Sequence, residues 1–205
     1  MGAQEALDRV YASTSDPDEQ KALYDDWAAS YDHDLEVSGY ATPGRLAALV
    51  DQYLDDRDAP IFDFGCGSGM SGRALAAVGF TTIDGADLSS GMLEQAGRSS
   101  AYRRTWQLTA GELAVEPGEY RAVVACGVVS VGAAPPGALT LIAAAVAPGD
   151  LLVVSYNDHT LDDADYMAAL TGVLDDGFEE VDAEHGVHIA ARESTSTIFV
   201  LRRTR

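Results

Sequence analysis

The chain reads as an α/β protein built on a mostly parallel sheet with helices on both faces. Three observations predict it. Apolar, strand-like runs alternate with helical periods from about residue 60 to residue 174. The first run, Ile61-Phe62-Asp63-Phe64, passes straight into Gly65, Gly67 and Gly69, the turn chemistry of a strand-to-helix loop that lets backbone approach a ligand. Two C-terminal runs lie too close together to hold a crossover helix between them, so one strand at an edge of the sheet is antiparallel.

The elements follow in order. Residues 4–13 and 17–30 carry helical patterns separated at Asp16-Pro17, an acid suited to a cap followed by a proline suited to a first turn. Residues 43–54 form a third helix with Leu46, Leu49, Val50 and Tyr53 on one face. Strand one spans about 60–64 with its helix at 70–78, and strand two about 80–86 with its helix at 89–98. Strand three spans about 104–109. Strand four, 120–125, is a continuous apolar run of the kind buried on both faces. A helix at 136–147 stops at Pro148-Gly149. Strand five, 151–155, leads to a helix at 162–174 and then to the antiparallel strands at 178–189 and 195–203. The segment 1–42 is expected to be a helical lid on a single domain whose body is 43–205.

With 205 residues the chain suits one domain with a sizeable core. Its net charge is −20 and Lys21 is its only lysine. A surface that tracks phosphates needs clustered Lys and Arg, so nucleic acid is not expected as a partner. Acidic runs such as Asp55-Asp56-Arg57-Asp58 read as solvated surface. No apolar run is long enough to span a bilayer, and residues 1–10 lack a signal-peptide core. Cys66 and Cys126 have no metal-ligand spacing around them, which fits a reduced, cytoplasmic protein and no metal site.

The chemistry lies in two spaced signals. The glycine loop after Asp63 opens a helix, and its N–H groups make a mildly positive, close-packed floor. About twenty residues beyond Gly67, Asp87 ends the second strand, where a carboxylate can accept from a pair of ribose hydroxyls. Asp84, three residues earlier, is expected to face away from the ligand and to be dispensable for binding. The signals indicate an adenosine-containing ligand. Gly67-Ser68-Gly69-Met70-Ser71-Gly72 also spells the dinucleotide fingerprint, so an NAD(P)-dependent reductase remains an alternative, although the chain has no Tyr-x-x-x-Lys pair.

The spelling Asp63-x-Gly65-Cys66-Gly67-Ser68-Gly69 followed by Asp87-Leu88-Ser89-x-x-Met92-Leu93 resembles class I S-adenosylmethionine-dependent methyltransferases. Tyr24-Asp25-x-Trp27-Ala28-x-x-Tyr31-Asp32 is similar to the opening of small-molecule members, among them the methyltransferase-like proteins of the Williams–Beuren region group. The resemblance implies a Rossmann-like, seven-stranded sheet and S-adenosyl-L-methionine as cofactor. By that resemblance Asp63, Gly65, Cys66, Gly67 and Gly69 form the loop that carries the methionine part. Asp87 takes the ribose, and Leu88 and Met92 pack near the adenine. Glu112 and Leu113 follow strand three, where relatives place an acid near the adenine amino group. Cys126 ends strand four, and Tyr24, Trp27 and Tyr31 close over the cofactor. Relatives often carry a histidine after strand four, where this chain reads Ser130-Val131-Gly132.

Candidate catalytic side chains are His33, His159 and Tyr156, from segments expected at the carboxyl ends of the strands. Tyr40 is a further pocket candidate, whereas His185 and His188 in the last hairpin are expected to be structural. The expected reaction is methyl transfer to a small-molecule acceptor, achieved mainly by proximity and orientation. A catalytically silent member that only binds S-adenosylmethionine or S-adenosylhomocysteine is the non-enzymatic alternative. The motifs specify neither the acceptor nor the oligomeric state.

Overall fold

The computed structural model describes residues 17–113 and 115–205, so the helix expected at 4–13 lies outside the described residues. Three helices come first: α1 (Pro17–Trp27), α2 (Tyr31–Val37) and α3 (Thr42–Tyr53). Then strands and helices alternate: β1 (Ile61–Phe64), α4 (Met70–Ala77), β2 (Ile83–Asp87), α5 (Ser90–Ala96), β3 (Arg104–Gln107), β4 (Ala122–Ala125), α6 (Gly137–Ala143) and β5 (Leu151–Asn157). Two helices, α7 (Asp158–Leu161) and α8 (Ala164–Asp175), precede β6 (Phe178–Ile189) and β7 (Ser194–Arg203).

The seven strands lie in the order β3-β2-β1-β4-β5-β7-β6. Pairs among the first five are parallel; β7 runs antiparallel to both β5 and β6. The antiparallel hairpin therefore closes one edge, as the short C-terminal connection predicts, with β7 inside and β6 outside. From β1 the chain moves outward on one side to β2 and β3, and β4 and β5 lie on the other. The crevice between the carboxyl ends of β1 and β4 is thus the switch point at which open α/β sheets bind ligands.

Period-2 alternation builds two cores. Phe62, Val123, Ala125, Leu152, Val154, Phe199 and Leu201 face one side, under α6 and α8. Ile61, Val124, Leu151, Val153, Ile198 and Val200 face the other, under Leu46, Ala47, Leu49 and Val50 of α3 and Leu75 of α4. The continuous apolar strands are those buried on both faces. Asp84 is a charged exception at the base of β2. It is fully buried and accepts from Arg103 Nε (2.9 Å) and Nη2 (2.5 Å), Arg104 Nε (2.9 Å) and Tyr120 OH (2.8 Å). Burial opposes its charge, but the bonds from Arg103, Tyr120 and Arg104 outweigh that and hold its pKa below the ordinary value. Asp84 thus faces away from the ligand side, as expected, and in addition anchors β2 to β3, a structural role that the sequence does not reveal.

The N-terminal segment departs most from the sequence pattern. The helix expected over 17–30 ends at Trp27, and a short turn precedes α2. Asp34 fixes the break, because its Oδ2 accepts from Trp27 Nε1 (2.8 Å) and Ser30 Oγ (2.9 Å). The aromatic face survives as a cluster. Trp27 stands edge-on to Tyr31 with ring centres 4.6 Å apart, and Tyr24 lies 6.5 Å from Trp27. No helix among the described residues is long and apolar enough to cross a membrane.

Candidate active site

A cleft of about 480 Å³ opens at the switch point. Its floor is the loop after β1, where Gly65 and Gly67 have φ of +65° and +54°. At Gly65 a Cβ would stand 2.5 Å from two methyls of Val128, whereas a Cβ at Gly67 would meet nothing within 4 Å. Gly65 lets the loop pack on the segment after β4, and Gly67 leaves bare backbone facing the open cleft.

Beside that backbone stands Asp87. Its Oδ2 accepts from Gly67 N (2.9 Å) and its Oδ1 from Ser89 N (2.8 Å). Each oxygen retains acceptor capacity. Burial is the leading influence and raises its pKa, against the bonds from Ser89 and Gly67. The carboxylate thus ties two loops together at the mouth of a cleft that it also lines.

Nine of the residues singled out by sequence line this cleft: Tyr24, Tyr31, Gly65, Gly67, Asp87, Leu88, Met92, Glu112 and Cys126. The other five stand behind it. Trp27 lines a smaller adjoining recess. Gly69 begins α4 and faces Tyr102, and Leu113 packs against the larger core. Cys66 is buried beneath the loop. Asp63 is fully buried too, and its Oδ2 accepts from Ser71 Oγ (2.6 Å) and Tyr102 OH (2.7 Å). It braces the loop from beneath rather than lining the ligand space. Burial pushes its pKa up to about 6. Tyr102 fills the space beneath the start of α4, where a Cβ on Gly72 would stand 2.2 Å from its ring. The third glycine of the fingerprint is therefore explained by a tyrosine that local sequence does not place there.

The roof is α1 and α2. Asp25 Oδ1 accepts from Ser89 Oγ (2.5 Å) and Gly91 N (3.0 Å), and Lys21 Nζ lies 2.7 Å from Asp25 Oδ2. Arg73 of α4 donates to Asp32 Oδ2 (2.5 Å) and to Ser68 O (3.0 Å), joining roof to floor loop. The far wall comprises Leu108 to Glu112 after β3 and Ala133 to Pro135 with Ala138 and Leu141. Sequence reading assigned no site role to Lys21, to Ser89 or to the apolar residues of this wall. Lys21 and Ser89 carry an i,i+4 spacing and a helix-cap position as signals.

The three catalytic candidates do not converge on the cleft. His33 and His159 are exposed on α2 and α7 and line neither cavity. Tyr156 is fully buried in the sheet core between Tyr166 and Phe199, with ring centres at 6.1 and 5.7 Å. Its side chain belongs to that core and lines neither cavity, although its neighbours Ser155 and Asn157 line the recess. Asn157 and Asp158 serve structure: Asn157 Oδ1 caps α7 through Thr160 N (3.0 Å), and Asp158 accepts from Thr195 N (2.7 Å) and from the Thr195 hydroxyl. No group of three or more potential metal ligands occurs among the described residues.

The recess, about 50 Å³, continues the cleft past Tyr24, Tyr31 and Gly127. Tyr40 and His188 also line it, their rings edge to face at 5.2 Å, and Tyr40 OH lies 3.8 Å from Cys126 Sγ. His188, expected to be structural, thus reaches a cavity. It does so because Tyr40 and Ile189 form a bridge that seats the last hairpin beside the roof. Burial raises the pKa of the Tyr31 and Tyr40 hydroxyls well above the ordinary value and pushes the Cys126 thiol up to about 12. All three keep their protons at neutral pH.

Comparison with known proteins agrees with this geometry. The profile of a family described as a methyltransferase domain matches residues 31–192. The human methyltransferase-like protein 27 is 33% identical over 173 residues, covering 82% of this chain and 70% of that protein. A structure of the complex between the Haloferax volcanii Trm112 methyltransferase activator and a methyltransferase matches with a TM-score of 0.70 at 16% identity, over 90% of this chain and 97% of that one. A TehB-like S-adenosylmethionine-dependent methyltransferase from Corynebacterium glutamicum matches with a TM-score of 0.63 at 19% identity, over 89% and 99% of the two chains. At such identities the structural likeness shows the fold.

Proposed function

The chain belongs to the methyltransferase domain family, and from that premise we propose that it methylates a small acceptor, by orientation and exclusion of water rather than by acid–base chemistry. Its cofactor is S-adenosyl-L-methionine. The observation that carries the reading is the pairing of bare backbone at Gly67 with the Asp87 carboxylate on the wall of one cleft.

The residues present fit that cofactor. Gly67 leaves open the space that a side chain would fill. Asp87 has lone pairs left to accept from both ribose hydroxyls, and such charge-assisted bonds are stronger than neutral ones. Leu88 and Met92 offer an apolar wall to the adenine, with Glu112 at the mouth to accept from its amino group. Gly65, Gly67 and Cys126 would lie under the methionine part, and Tyr24 and Tyr31 above it. Asp63, Cys66, Gly69, Trp27 and Leu113 act one layer back, by shaping these surfaces.

When bound, S-adenosyl-L-methionine supplies a methyl group already activated on a positively charged sulfur. The chain's own groups then need only hold the acceptor in line and keep water out. The protonated state of Tyr31, Tyr40 and Cys126 fits this division, since none of them is a base at neutral pH. The segment from α1 to about residue 42 acts as a lid. Asp25 latches it to the start of α5, and opening that latch admits ligands.

The test is calorimetry with S-adenosylhomocysteine and with NADPH, followed by a radiolabelled methyl-acceptor screen. Binding of the adenosyl-sulfur ligand without NADPH, and label on a small acceptor, is the expected result. Tight NADPH binding alone would sink the reading. Label found only on protein or nucleic acid would remove the small-acceptor part of it.

A further inference from the structure

Four side chains behind the recess form a one-way hydrogen-bond relay. Arg45 Nη1 donates to Ser196 Oγ (2.9 Å), Ser196 Oγ lies 3.2 Å from Thr42 Oγ1, and Thr42 Oγ1 lies 2.8 Å from His188 Nδ1. A guanidinium has no acceptor, so the first bond has only one direction. Ser196 and Thr42 are fully buried, and each hydroxyl carries one hydrogen. Thr42 is the remaining partner of the Ser196 hydroxyl, and His188 is then the remaining partner of the Thr42 hydroxyl. The arrangement that uses every hydrogen runs Arg45 to Ser196 to Thr42 to Nδ1. The opposite arrangement strands the Ser196 proton in the interior, where an unmade bond is expensive. Nδ1 is therefore an acceptor, and the proton of the neutral ring sits on Nε2. His188 is itself more than nine-tenths buried and lines the recess, and its Nε2 has no hydrogen-bond partner among the described residues.

We propose that this recess seats the reacting head of the methyl acceptor, that His188 serves it as a hydrogen-bond donor through Nε2, and that the acceptor is a small carboxylate. This rests on the methyltransferase reading. Three further observations support it. His188 stays neutral: burial first, and Arg45 after it, push its pKa down to about 4 against the pull of Asp158. Among the described residues no carboxylate lines the recess, in a chain with 33 acids. Its other polar wall includes the Tyr40 hydroxyl, which keeps its proton. A space with donors, aromatic walls and no base does not suit an amine that arrives protonated and must lose a proton before it can attack. A carboxylate arrives with its lone pairs free. One oxygen accepts from His188 while the other forms the new C–O bond to the methyl carbon. The C–S bond breaks as that bond forms, and its electron pair stays on sulfur. The carboxylate becomes a neutral methyl ester, the sulfonium a neutral thioether, and no proton moves.

Two measurements decide it. The first is long-range ¹⁵N–¹H NMR of the histidines at pH 7, with His188 assigned through His188→Gln. A neutral ring protonated on Nε2 is expected, and Thr42→Val should erase the preference. A ring protonated on Nδ1, or an imidazolium, overturns the proposal. The second is titration of benzoate, benzylamine and phenol into protein saturated with S-adenosylhomocysteine. Benzoate should bind and shift the His188 Nε2 signal. His188→Ala should weaken it by roughly 10- to 150-fold, the range for one hydrogen bond to a charged group. His188→Gln, which restores an N–H near that position, should recover most of the loss. Benzylamine or phenol binding in place of benzoate overturns the carboxylate assignment. Failure of S-adenosylhomocysteine to bind strikes the methyltransferase reading instead, and the tautomer measured on the free protein still decides the role of His188.

Discussion

The floor and the roof of the cleft are built by different means. The floor is local. A four-residue strand, left-handed glycines and a carboxylate that grips two backbone N–H groups set most of its shape within the span from Asp63 to Ser89, with Tyr102 and Val128 packed against it. The roof is assembled from distant pieces. Asp25 reaches Ser89, Asp32 reaches Arg73, and Tyr40 bridges to Ile189 in the last hairpin. A floor of this kind is rigid because backbone geometry dictates it. A roof hung on a few polar side-chain contacts opens locally at small free-energy cost. The molecule places the cofactor motifs on the first and the aromatic residues on the second.

Mutations can test that contrast, and the largest effect belongs to the floor. Gly65→Ala combines a left-handed backbone, at about 1–2 kcal/mol, with overpacking on Val128, at about 1–3 kcal/mol. Denaturant melts should show a loss of roughly 2–5 kcal/mol together with lost cofactor binding. Gly67→Ala, which meets no atom within 4 Å, should spare stability far more while still obstructing the cleft. Equal destabilisation by both would break the account of the loop.

Next comes Asp63→Asn, read against pH. The folded pKa of about 6 lies above the ordinary aspartate value of 3.8, so the native state holds the proton more tightly. The contribution of Asp63 is complete below pH 3.8 and is lost as pH rises through 6. The stability of the wild type minus that of Asp63→Asn should therefore fall by roughly 3 kcal/mol between pH 4 and 7, about two pKa units. A flat difference would show that the carboxyl is not buried as described.

The two acids of β2 give the third test. Asp87→Ala should weaken S-adenosylhomocysteine by roughly 10- to 150-fold, from hydrogen bonds worth about 1.5–3 kcal/mol. Asp84→Ala should leave affinity nearly unchanged per folded molecule and lower stability by about 2–3 kcal/mol. That is less than a fully buried pair would lose, because both guanidiniums are half in water. Exchange of these two phenotypes would invert the reading of the strand. The smallest effect is in the roof. Asp25→Ala should change global stability by less than about 1 kcal/mol while speeding amide exchange across residues 17–37. Unchanged exchange there would mean that the roof is held by its aromatic packing alone.

The same contrast explains what the sequence reveals. The sheet, its helices and the Asp63-to-Gly69 and Asp87-to-Met92 segments are legible because each is short-range chemistry: alternation, turn residues, a capping serine. The break at residues 28–30 is not, because Asp34 captures the Trp27 indole only once the chain has turned. The role of Asp84 is hidden because nothing local says that two arginines and a tyrosine will converge on it. Tyr102 and His188 are hidden for the same reason, each arriving from another part of the chain. His33 and His159 show the converse: a loop position near strand ends in sequence does not fix which way a side chain faces.

The chain's two tryptophans fall one in the roof and one against the sheet core. Trp27 sits in the roof with its indole N–H on the Asp34 carboxylate, and Trp106 stacks on Phe62 in the sheet below, ring centres 5.3 Å apart, beneath the Arg104 guanidinium. Their emission therefore arises in two unlike surroundings, one anionic and one apolar and cationic. A Trp106→Phe protein would glow from the roof alone, and a Trp27→Phe protein from the sheet core alone. The protein already carries the optical probes needed to watch the roof move while the sheet stays still.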